Sequence, residues 1–199
     1  MFLSQLIHTV GMRYDPSISI DADDDVYPPS DDSIFLIHSL DISPGERILE
    51  IGCGSGVVSI HCAVNGAKVT CGDINLKAVQ LTKDNFNKNG LTADVIETDV
   101  YSNITGEFDT IIFNLPYLPV DEKGALALAW SGGKDGLGPL PRLLSGAEEH
   151  LSEGGRLMVV VSSLMDEDAL GDLLSDYDFK VISMHPMFFE TLKVLEITL

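Results

Sequence analysis

Basic residues are scarce in this chain: 12 lysines and arginines stand against 31 aspartates and glutamates, a formal net charge of −19 over 199 residues. A surface of that sign repels a phosphate backbone, since nucleic-acid binders displace counterions with a basic stripe, so duplex DNA is a poor substrate candidate. Cysteine is sparse too. Cys53, Cys62 and Cys71 are widely spaced, odd in number and without a C-x-x-C pair, which argues against a disulfide framework or a metal site and leaves ordinary buried or half-buried thiols. No apolar run approaches the roughly 18 residues of a membrane span, and the opening "MFLSQLIHTV" has neither a basic leader nor a small-residue cleavage site, so a cytoplasmic protein without a membrane partner is expected. There is no internal repeat and no low-complexity linker. The length and the 45% hydrophobic content suit one domain over 1–199, with 1–25 as an N-terminal extension and 26–199 as the core.

The acids are spread along the chain apart from "DADDD" (21–25) and "DDS" (31–33). Such a surface suits either high internal salt, which screens its self-repulsion, or a basic partner met by an acidic face.

Hydrophobic patterning alternates between two kinds of segment. Short, mostly continuous apolar runs at 47–52, 68–74, 93–99, 108–114 and 155–163 read as strands covered on both faces. Helical patterns at about 55–65, 75–89, 139–152 and 166–176 separate most of them, which predicts an α/β fold with a largely parallel sheet. The last two runs, "FKVISMHPM" and "TLKVLEITL", are joined only by "FFE", far too short for a parallel crossover, so an antiparallel hairpin closes a sheet of seven strands. A further helix is expected over 33–40, announced by "PPSD".

The first strand runs into "EIGCGSG", Glu50 to Gly56. Gly52, Gly54 and Gly56 permit positive φ and let a ligand approach bare backbone, while the next helix start offers unpaired N–H groups. Asp73 closes the second strand about 20 residues on, where a carboxylate can take both hydroxyls of a ribose. The spacing E-x-G-x-G-x-G suits a nucleoside without a pyrophosphate. Asp99, at the end of the third strand, is placed to accept from an adenine amino group, with Val100 or Tyr101 beside the ring. After the fourth strand comes "NLPY", Asn114 to Tyr117: a carboxamide, a kinked backbone and a phenol within four residues.

Together these stretches resemble a class I S-adenosylmethionine-dependent methyltransferase of the amino-methylating kind, a Rossmann-like fold whose motif is N-P-P-Y. Leu115 replaces the first proline and removes some rigidity from the turn. "VYPPSDDSIFLI" (26–37) and "AWSGGKDGL" (129–137) resemble the HemK2/Mtq2 branch of protein-glutamine N5-methyltransferases, and the likeness runs from about residue 24 to the C-terminus. The resemblance implies S-adenosylmethionine as cofactor, touched by Ser33, Glu50, Gly52, Asp73, Asp99, Val100 and Asn114, with Gly54 and Gly56 in the same loop and Tyr27 covering the pocket. It implies a substrate clamp made of Asn114, Leu115, Pro116 and Tyr117. It also implies the glutamine of a release factor's G-G-Q tip as substrate, and a small zinc-binding Trm112-type partner. The exposed edge expected of the third strand, with apolar Val95 and Ile96, suits strand addition by such a partner.

An amide nitrogen is a poor nucleophile because its lone pair is delocalised, so position does most of the work. The Asn114 side-chain carbonyl and the Leu115 main-chain carbonyl can accept both N–H bonds of one –NH₂ and turn its lone pair toward an electrophilic methyl, while Tyr117 walls the planar group. The same clamp could hold a flipped adenine or guanine, or a small molecule. Acidity and the lack of a separate RNA-binding domain weigh against the base. His61, His150 and His185 are expected to be surface or packing residues rather than catalysts.

Overall fold

The computed structural model describes residues 11–124 and 126–199. Part of the proposed extension, residues 1–10, lies outside the described residues.

Seven strands form one sheet: β1 (Arg47–Ile51), β2 (Lys68–Asp73), β3 (Asp94–Glu97), β4 (Phe108–Asn114), β5 (Leu151–Ser162), β6 (Asp178–Pro186) and β7 (Thr191–Thr198). Their order is β3-β2-β1-β4-β5-β7-β6. The first five strands are parallel, and β7 runs antiparallel to both β5 and β6. The expected mixed sheet with a terminal hairpin is therefore found.

The continuous apolar runs are explained by cover on both faces. Ile48, Ile112, Met158 and Val160 enter one core with Leu36, Ile60 and Phe86 from α1 (Asp31–Ser39), α2 (Val57–Val64) and α3 (Leu76–Lys88). Their neighbours Leu49, Ile111, Phe113, Val159 and Val161 enter a second core with Leu140, Leu143 and Leu174 from α4 (Leu140–Gly146) and α5 (Glu167–Leu174). Successive side chains point to opposite faces, so an unbroken apolar strand feeds both layers. Burying a side chain such as Phe86 stabilises the fold by about 1.5–3 kcal/mol.

Several expected boundaries shift. The helix expected over 139–152 stops at Gly146 and passes through a 3-10 turn at Ala147–Glu149, and the strand expected from 155 starts at Leu151. Gly146 lies against Tyr101, where a Cβ would come within 2.7 Å of the ring, and the register of β4 on β5 slips between Phe108 and Thr110. "LSEGG" is thus absorbed as a bulged strand start, for which glycine is suited. β3 is also shorter than the expected 93–99.

Residues 11–30 lie across α2 and α3, held by side chains that imitate a strand partner. The Asn85 side chain accepts from Asp21 N–H and donates to Asp21 O, and Asn89 does the same with Ser19. Asn85 also donates to Ser55 O, tying this segment to the loop after β1. The buried His61 accepts from Asp15 N–H, meets Val57 O through its other ring nitrogen and stacks on Tyr14, a packing role. His150 stacks on Tyr101 and His185 on Phe35. All three cysteines are buried and free. A Cys71 contact and burial push the Cys53 thiol well above its ordinary value, and burial does so for Cys62, so neither offers a ready thiolate.

Candidate active site

The parallel strands end on one edge of the sheet, and there a cavity of about 350 Å³ opens. Tyr27, Ser33, Glu50, Gly52, Gly54, Asp73, Asp99, Val100, Asn114, Leu115, Pro116 and Tyr117 all line it. Gly56 does not. It forms the left-handed cap of α2, where a Cβ would meet Thr82 at 2.9 Å, so it serves the loop's packing.

The loop after β1 is built for close approach. Gly52 and Gly54 have φ of 67° and 55°, and a Cβ on Gly52 would come within 2.8 Å of the Phe113 ring. The Asp73 carboxylate accepts from Gly54 N–H at 2.9 Å and from Asn75 N–H at 2.8 Å, so it braces the loop it faces. Burial pushes its pKa up against those two bonds. Glu50 is more deeply buried, 3% exposed, and accepts from the Ser59 N–H and hydroxyl at the start of α2. Burial, with the neighbouring Asp73 charge, raises its pKa to about 8.

At the far side, Asp99 is held by both guanidinium nitrogens of Arg142, at 2.7 and 2.9 Å. Val100 beside it has φ of 55°, the one non-glycine residue with positive φ among the described residues. That conformation costs a β-branched residue of order 1–3 kcal/mol and is held by Thr98, whose hydroxyl donates to Val100 O.

The clamp turn follows β4. Asn114 Oδ1 is buried and is the one buried side-chain polar atom among the described residues that has no hydrogen-bond partner. Buried acceptors are nearly always satisfied, so an orphan at a cavity wall marks a place for an external donor. Burial, then the Asp32 and Glu190 carboxylates, push the Tyr117 phenol far above its usual range. It stays protonated, which fits a wall rather than a base.

Sequence reasoning passed over four residues that the fold brings here. Trp130 from the 129–137 loop faces Tyr27 with ring centroids 6.4 Å apart at the cavity mouth, and its Nε1–H donates to Glu122. Asp32, accepting from Ser30 and Ser33, sits at the start of α1, which begins two residues earlier than expected. Arg142 orients Asp99. Gly132 packs the 129–137 loop onto the clamp turn, as Leu118 N–H bonds Trp130 O and Gly132 N–H bonds Leu118 O.

Residues 30–183 match the methyltransferase small domain family. The chain belongs to that family. This methyltransferase is 42% identical over 162 residues to a Methanocaldococcus jannaschii protein carrying the provisional name protein N5-glutamine methyltransferase, covering 79% of the chain and 82% of the relative. It is 31% identical over 145 residues to ribosomal RNA small subunit methyltransferase C of Chromohalobacter salexigens, covering 69% of the chain but only 40% of that longer protein. In fold, the methyltransferase resembles the E. cuniculi Mtq2-Trm112 complex, with a TM-score of 0.69 at 19% identity over 87% of this chain and 98% of that one.

Proposed function

We propose that the enzyme transfers a methyl group from S-adenosylmethionine to the side-chain amide of a protein glutamine, that of the G-G-Q tip of a translation release factor. The observation that carries this reading is Asn114 Oδ1, a buried acceptor without a donor, next to the Leu115 main chain and the Tyr117 ring. An –NH₂ brings the N–H groups this site lacks. The M. jannaschii relative, matched over most of its length, is named for the N5 position of a protein glutamine. The fold neighbour is described as responsible for methylating the termination factor eRF1.

The cavity suits the cofactor: two buried carboxylates, Glu50 and Asp73, stand beside bare glycine backbone, as a ribose and a cationic group require. S-adenosylmethionine, when bound, supplies an electron-poor methyl carbon on a sulfonium sulfur. The chain's own residues supply position. Asn114 and the Leu115 carbonyl would take the two amide N–H bonds and aim the nitrogen lone pair, Pro116 fixes the turn, and protonated Tyr117 bounds the amide plane. Tyr27 and Trp130 would keep water from the reacting atoms.

A Trm112-type activator pairing at β3 belongs to the same reading. Among the described residues β3 is the sheet's edge and pairs on one side only, with β2, which leaves its other side for an added strand. One observation favours a second reading, methylation of a guanine amino group in ribosomal RNA: the 31% identity to an RNA enzyme. The net charge of −19 opposes it.

Labelled methyl transfer to purified release factor, to the same factor with its G-G-Q glutamine replaced, and to small-subunit RNA decides between them. The runs use low and high salt, with and without a Trm112-type protein. Label on the intact factor alone is expected. Label on RNA alone would overturn the glutamine reading.

A further inference from the structure

The hairpin joining β6 and β7 carries an aromatic pair that the catalytic site does not use. Phe188 is 91% exposed and Phe189 86% exposed, and their rings meet edge-on with centroids 4.6 Å apart. Met184 and Met187 add apolar surface beside them. Two adjacent aromatics so fully in water are unusual for a soluble surface and mark a contact site.

The tip is held rather than loose. Met187 N–H bonds Glu190 O at 2.7 Å across the turn. The Glu190 carboxylate accepts from the Ser162 hydroxyl at 2.5 Å, and Thr191 N–H donates to the Ser163 hydroxyl at 2.9 Å, so the turn is pinned to the end of β5.

Register fixes its place relative to the site. Asn114 lies opposite Val160, Val160 opposite Val194, and Ser162 opposite Leu192 at the start of β7. The turn therefore leaves the sheet on the same edge as the clamp, two to three strands away, or roughly 10–15 Å at the usual strand spacing. Three to five extended residues bridge that distance. The ground between is acidic: Glu190 and Asp32 both bear on Tyr117, and Asp166, Glu167 and Asp168 follow β5 on that edge. Lys193 is the nearest base along β7.

We infer that this tip docks a basic segment of the protein substrate flanking the target amide, with Phe188 and Phe189 receiving an arginine or lysine side chain whose stem packs on the rings and whose charge faces Glu190 and its acidic neighbours. Aromatic rings beside carboxylates bind such side chains by apolar contact and cation–π attraction together. The net charge of −19 repels anionic lipid and phosphate backbone alike, which favours a cationic protein over a membrane or RNA. This inference rests on the protein-glutamine reading above.

The test is steady-state transfer by the full chain, with a Trm112-type protein present, comparing wild type with Phe188→Ser/Phe189→Ser. Both side chains lie in water, so the melting temperature should not fall, and Phe188→Tyr serves as the conservative control. The expected result is a KM for whole release factor raised tenfold or more, with kcat, cofactor affinity and transfer to a short peptide limited to the target tip unchanged, and Phe188→Tyr close to wild type. Full wild-type transfer with an unchanged KM in the double variant would overturn this inference alone. So would a dimer in solution that the double variant loses, since the tip would then bind a second copy. Failure of wild type to methylate the factor at all would overturn the protein-substrate reading and this inference with it.

Discussion

Gly132 lies so close to the Pro116 carbonyl oxygen that a Cβ at position 132 would stand 2.5 Å from it. The 129–137 loop thus reaches the clamp turn through backbone contact, and a Cβ on Gly136 or on the following Gly138 would stand 2.7 Å from Tyr117 O or 2.9 Å from Pro116 O. Gly132 and Gly136 of "AWSGGKDGL" are thus a packing requirement of the turn that presents Asn114, while Gly133 faces open space and is suited by its positive φ.

Gly132→Ala must therefore push the clamp aside, because the obstructing atoms are main chain and cannot rotate away. A displacement near 1 Å costs about 10²-fold in a positioned reaction. Methyl transfer by this variant should fall by roughly that factor, with cofactor affinity held within about threefold because the β1 loop is untouched. Single-turnover transfer and calorimetric titration of the cofactor, measured on one preparation, check both halves.

The pH dependence of stability follows from Glu50. Its folded-state pKa, raised by burial to about 8 from an ordinary 4.5, leaves a proton on the folded protein that the unfolded chain has already released between those values. The Glu50 contribution is fully present below 4.5 and is lost as pH rises through 8. Asp73 is shifted in the same direction. Thermal melts of the ligand-free enzyme should show stability declining from about pH 5 to 8, and Glu50→Gln should flatten the decline. A cationic ligand beside Glu50 favours its ionised form, so cofactor binding near pH 7 should release protons, read as a dependence of binding heat on buffer ionisation. A flat melt profile in wild type would contradict the assignment.

Arg142 and Asp99 form a two-bond ion pair with both side chains about half exposed. Exposed pairs contribute at most about 1 kcal/mol, so Arg142→Ala should leave the melting curve nearly unchanged. It should nevertheless weaken cofactor binding several-fold, because Asp99 loses the side chain that orients it. Unchanged affinity would place Asp99 outside cofactor recognition.

The fold was legible because every strand and most helices carry a local signal: continuous apolar runs for β1 and β4, the "FFE" connection for the hairpin, and glycines and acids at strand ends. The boundary between α4 and β5 was not. "LSEGG" reads as loop or helix tail, and only the slip of β4 against β5 makes it strand. Residues of the site that sit at strand ends were visible for the same reason. Trp130, Asp32, Arg142 and Gly132 were not singled out: Trp130, Arg142 and Gly132 act through partners distant in sequence, Tyr27, Asp99 and Pro116, while Asp32 bonds its neighbours Ser30 and Ser33 as any acid at a helix start would. The Arg142 pairing carries no motif at all. The glycines of the 129–137 loop were visible as a run, but their purpose depends on the backbone they touch.

The measurement that tests the central claim most directly is the kcat for methyl transfer to the release-factor glutamine by Asn114→Ala, set beside the Kd for S-adenosylmethionine. The clamp predicts a loss of about 10²–10³-fold in kcat, the usual cost of removing one well-aimed polar group from a transition state, with Kd within about threefold of wild type. Transfer at the wild-type rate would contradict the clamp, and loss of cofactor binding would move Asn114 from the substrate to the cofactor.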